Sequence, residues 1–148
     1  KISNKLLNII VQCVIIKLLK TGGIGMIHVN ITDEALNTQI EDTYYKIVAM
    51  FGKLEYAGCF HLAVAVALYN ADCKRLTDLF RTESEIVGST PAAIERNIRV
   101  YLRVILEDKS IKDISEMIGY PLSDIDGTIK AKEFIAALKL YFTVNEDE

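Results

Sequence analysis

The chain has 148 residues, 51% of them hydrophobic, enough to bury one core without help from disulfides. Its net charge of −3 argues against a non-specific nucleic-acid coat but leaves room for a local basic patch. Cys13, Cys59 and Cys73 form no C-x-x-C pair and no histidine stands at metal-ligand spacing, a pattern of reduced, intracellular thiols with no metal and no cofactor expected.

Residues 1–25 stand apart. Leu6 to Leu19 reads LLNIIVQCVIIKLL, strongly apolar but interrupted by Gln12 and Lys17 and too short for a membrane span. Lys1 and Lys5 resemble the positive end of a secretory signal, yet the small-residue cleavage site is missing and KTGGIGM follows. A third reading starts the protein at Met26, the glycine codons of GGIGM doubling as a ribosome-binding sequence and residues 1–25 being translated leader. Finding the peptide Lys5 to Lys17 in the native protein by mass spectrometry would rule that out. Residues 1–25 hold four lysines and no acid, so from Met26 onward 13 basic face 20 acidic residues, a net of −7.

Residues 26–148 show no repeat, low-complexity tract or linker and read as successive helices, an N-terminal one over 26–52 and a domain over 53–148. Thr32 or Asp33 caps a helix running to about Phe51, with Leu36, Ile40, Tyr44, Ile47 and Val48 on one face and Gly52 as its stop. Leu54 to Tyr69 contains HLAVAVALY, whose large-small alternation suits a buried strand, but its alanines and length favour helix. Asp72 is the expected cap of the next helix, with Leu76, Leu79 and Phe80 inward, and Thr82 with Glu85 forms a capping box for a further short one.

Thr90 followed by Pro91 marks a firm helix start, with an end near Leu106. Ser110 and Asp113 cap a short helix carrying Ile111, Ile114 and Ile118, with Gly119 beyond it, and YPLSDIDGT is loop. A last helix, about Lys130 to Val144, aligns Phe134, Ile135, Leu138, Tyr141 and Phe142. The pattern predicts an all-α domain of six to eight helices.

On the helix beginning at Thr90, Ile94, Ile98, Tyr101, Leu102 and Ile105 gather on one side, while Ala92, Arg96, Arg99 and Arg103 fall opposite. A short helix, a glycine-containing turn and a longer helix with a cationic outer face is the order of a helix-turn-helix DNA reader. Arginine's planar fork can grip guanine or clamp a phosphate, and Glu95 can accept from a cytosine amino group. Amphipathic helices usually carry charge outside, so an ordinary solvated face explains the same spacing.

STPAAIERNIRVYL, followed by ISEMIGYPLS and KEFIAAL, resembles the C-terminal effector domain of the stage-zero sporulation response regulator family, over about residues 50–142. AGCFHL, the Tyr-Asn end of that helix, IER.IR, IGY and EFIAAL occur in the family's order. The resemblance implies an all-helical domain of about six helices with an embedded helix-turn-helix, reading a short promoter box in double-stranded DNA, often as a homodimer on tandem sites. Glu95, Arg96 and Arg99 match the family's DNA-facing positions, Thr90 matches a polar position at the start of that helix, and Arg103 joins them from the helical wheel. Ala92, Ala93 and Val100 replace polar family residues, each lost base contact costing about 1–3 kcal/mol of discrimination. The family's proline-rich start to the second helix is KLEYAG here, and residues 1–50 are too few for its N-terminal receiver domain. The chain is therefore either a fragment or a stand-alone effector module, the Met26 start favouring the second.

Other sites are weaker. His61, on an apolar helix, reads as a packing histidine, and Cys59 and Cys73 as small buried hydrophobes. SDIDGT lacks the distal acid of a calcium loop, TGGIG lacks the closing lysine of a phosphate loop, and NEDE is a solvated terminus. No nucleophile-base pair presents itself, so an enzyme is not expected. The expectation is a cytoplasmic, sequence-specific transcription regulator. Its rival is a degenerate copy that binds a partner protein rather than DNA, which the −7 balance from Met26 favours.

Overall fold

A computed structural model describes residues 34–146. The apolar segment, TGGIG, the Met26 start, Cys13, His28 and the caps Thr32 and Asp33 lie outside the described residues. Six helices and no strand occur among those described: α1 Glu34–Phe51, α2 Ala57–Leu68, α3 Leu76–Val87, α4 Pro91–Asp108, α5 Ile111–Ile118 and α6 Ala131–Val144. The fold is all-α, as the sequence pattern predicts.

The molecule is built around α2, against which α1, α3, α4 and α6 all pack. Every residue of α2 from Gly58 to Ala67 is buried. A helix enclosed on all sides needs no polar face, so its apolar residues carry no 3.6 period, which explains why HLAVAVALY resembles a strand. Its small residues let neighbours come close. A Cβ on Gly58 would overlap the Asn97 carbonyl oxygen and lie 2.6 Å from the Tyr101 Cβ, so glycine is what lets α2 cross α4 backbone to backbone.

Two contacts fasten the α1–α2 elbow to α4. The Tyr101 hydroxyl donates to the Gly52 carbonyl at 2.8 Å, and Lys53 Nζ meets Asp108 at 3.0 Å. On the far side, Lys139 Nζ donates to the Ala67 carbonyl at 3.1 Å, satisfying one of the last carbonyls of α2.

Two helix-start expectations are corrected. Asp72 caps nothing: α3 begins after Arg75, without a side-chain cap. Thr82 with Glu85 starts no separate helix, because α3 runs unbroken through both and the Thr82 hydroxyl donates to the Asp78 carbonyl one turn back. A threonine that bonds to the i−4 carbonyl is compatible with a helix interior, which a capping-box pattern does not reveal. Other ends fall where expected. Ser110 and Asp113 form a reciprocal capping box on α5, and Gly52, Gly88 and Gly119 follow their helices in the left-handed region. The loop before α6 holds a tight turn in which Gly127 N–H donates to Asp124 at 2.8 Å, with Ile125 and Thr128 bridged across it. Ser123 is bound by Glu133 through both its backbone N–H and its hydroxyl, which fixes this loop to the first turn of α6. No helix among the described residues is long and apolar enough to cross a membrane.

Candidate nucleic-acid interface

The turn between α3 and α4 is three residues, Gly88, Ser89 and Thr90. Gly88 takes φ 74° and closes α3 by donating to the Ser84 carbonyl at 2.9 Å. Thr90 then caps α4, its hydroxyl oxygen accepting the Ala93 N–H at 3.2 Å, and Pro91 occupies the first turn, where its missing N–H costs nothing. The Thr90 oxygen is thus engaged by the helix, while its hydroxyl proton is left to donate outward.

Ile94, Ile98, Tyr101, Leu102 and Ile105 are buried, as the wheel predicts, and Val104 joins them. Ala92, Arg96, Arg99 and Arg103 are exposed along the opposite side. Arg96 and Arg103 make no ion pair or hydrogen bond among the described residues. Arg99 does: its guanidinium pairs with Glu95 one turn earlier, the two side chains 69% and 39% exposed. An exposed i,i+4 pair on a helix is worth only about 0.3–0.5 kcal/mol, so this one leaves Arg99 free to exchange partners.

The five sequence-derived residues do not all line one cleft. Glu95, Arg99 and Arg103 line a cleft of about 590 Å³ between α4 and the loop entering α6, whereas Thr90 and Arg96 are not part of its wall. Lys130 and Lys132, at the start of α6, stand on the other side of the cleft. Sequence reasoning along α4 alone had no means of finding them, because the 127–132 segment comes alongside only through packing.

Comparison with protein-family models, curated proteins and solved structures gives no match to this chain.

A second polar feature lies in the core. His61 on α2 and Glu83 on α3 are both fully buried, His61 Nδ1 standing 3.2 Å from Glu83 Oε1. Burial lowers His61 to about 4 and raises Glu83 well above its ordinary value. Both directions disfavour charge. Each group is therefore favoured in its neutral form, in which the Glu83 carboxyl can donate to imidazole Nδ1. His61 is a packing histidine, as expected, but Nε2 and Glu83 Oε2 have no partner among the described residues. Glu83 was missed because the Thr82 capping box split α3. On the continuous helix Leu76, Leu79, Phe80, Glu83 and Val87 share the inward face.

Cys59 is fully buried and its thiol is pushed up to about 12, chiefly by burial, which suppresses the reactive thiolate. Cys73 is half-buried, its Sγ donating to the Arg75 carbonyl at 3.6 Å.

Proposed function

We propose that the chain is a sequence-specific, DNA-binding transcription regulator of the cytoplasm, with α3, the three-residue turn and α4 acting as a helix-turn-helix. The observation that carries this reading is the exposed line of Ala92, Arg96, Arg99 and Arg103 along a helix whose opposite face is anchored in the core. A firmly seated helix with small residues near its start can enter a major groove without reorganising. Arg96 is the free base-reading fork. Arg99 gives up a pair worth a few tenths of a kcal/mol, too little to keep its fork from a bidentate guanine contact that discriminates by about 1–3 kcal/mol against the wrong base. Thr90, through its hydroxyl proton, and Arg103 serve phosphates, and Glu95, once released by Arg99, accepts from a cytosine amino group. The likeness to the sporulation-regulator effector domain supports the same assignment and suggests pairing of two copies on tandem sites.

Two observations favour a partner protein instead. Arg99 already rests on Glu95, and Ala92, Ala93 and Val100 present apolar surface where the family carries polar groups. Selection from a random duplex library, followed by a salt series, separates the two readings. A DNA reader enriches one box and loses affinity with a log-log slope of about −0.9 per neutralised phosphate. Arg96→Ala and Arg99→Ala should each abolish enrichment and leave the unfolding temperature unchanged. A chain that enriches no box and shows no salt slope is not a DNA reader, which leaves the partner-protein reading.

A further inference from the structure

We infer that the cleft between α4 and the start of α6 is a binding site for a small amphipathic anion, an apolar body ending in a carboxylate or phosphate. This does not rest on the DNA reading. The floor is apolar, made by Leu76, Leu102, Leu106 and Ile129, which belong to α3, α4 and the loop entering α6. At about 590 Å³ the cleft has the size that holds small organic molecules rather than a single ion.

Its rim has the opposite charge balance to the chain. In a protein of net charge −3, four cations and one carboxylate line this cleft. Glu95 is engaged by Arg99, and the Lys132 ammonium donates to the Lys74 carbonyl at 2.7 Å. Arg103 and Lys130 are left as exposed cations with no partner among the described residues, one on each wall. Lys130 is also the N-cap of α6 and offers that helix no side-chain cap, so the positive end of α6 adds to the field at the same place, offset in part by the Glu133 carboxylate held on Ser123 in that turn. An anionic head held between Arg103 and Lys130 lets its apolar body cover the four-residue floor. Inorganic phosphate would gain only the first contact, and a neutral alcohol only the second.

Anilinonaphthalene sulfonate, an apolar anion that fluoresces when shielded from water, tests this with the full chain. One molecule per chain should bind, with amide NMR shifts concentrated at Leu106, Ile129 and Lys130. Decanoate and decyl phosphate should displace it, their relative strength telling carboxylate from phosphate, while decanol and inorganic phosphate should not. Arg103→Glu combined with Lys130→Glu should weaken binding about ten-fold or more, with the unfolding temperature kept because both side chains are exposed. Absence of binding, shifts elsewhere on the molecule, displacement by decanol as effective as by decanoate, or unchanged affinity in the double variant would each overturn the assignment.

Discussion

Glu83 is a fully buried carboxyl among apolar neighbours. Held above its ordinary 4.5, it keeps in the folded chain a proton that the unfolded chain releases, so its contribution to stability is present below pH 4.5 and lost as pH rises toward the elevated value. His61, held near 4 against an ordinary 6.5, acts in the other direction: its contribution is intact above 6.5 and lost as pH falls toward 4. Glu83→Gln keeps the shape and can still donate to Nδ1 through its amide, but has no proton to lose. Thermal unfolding followed by circular dichroism should show the variant close to the parent near pH ~4.5 and more stable than the parent near pH ~8. Destabilisation at the higher pH would mean that the native pair is charged. Nothing in the composition announces such a pair. The inward spacing of Glu83 relative to Leu79, Phe80 and Val87 does, once Thr82 is allowed inside the helix.

Individual elements were legible where end signals and apolar period agreed. Thr90-Pro91, the Ser110–Asp113 box and Gly88 are local chemistry, and α4 and α5 begin where these residues put them. Thr90→Ala removes the acceptor for the Ala93 N–H while Pro91 still presets the first turn, so the loss should be about 1 kcal/mol, read as a lower midpoint in urea. Where a signal has two meanings the sequence misleads: Thr82 satisfies its hydroxyl on Asp78 as readily as it would cap a helix. The crossing of α2 over α4 is invisible in sequence, since a glycine in a helical stretch advertises lower propensity, not the neighbour it admits. Gly58→Ala, favourable by propensity, should destabilise by about 3 kcal/mol because the added carbon meets the Asn97 carbonyl and the Tyr101 side chain on rigid helices. A stabilised variant would show that the two helices can separate at little cost.

At the scale of the whole molecule, the outward face of α4 was readable as a line of arginines, but the cleft was not. It depends on Leu76, on the tight turn at Gly127 and on the Glu133–Ser123 clamp, which come together from α3, α6 and the intervening loop. The overall acidity of the chain likewise does not say where a local cluster of cations such as Arg99, Arg103, Lys130 and Lys132 falls. Periodicity reports what faces inward on one helix; it carries no information about which distant segment closes over the other side.

The wholly enclosed position of α2 has a consequence for how the protein comes apart. A rod without a wettable side has nowhere to go when its neighbours leave, so partial opening around it is penalised and the molecule should melt all at once. Native-state hydrogen exchange should therefore find the amides of Val64 to Val66 opening only with global unfolding, at the free energy measured independently in denaturant. If those amides exchange ahead of that limit, the central rod is not what holds the other helices together.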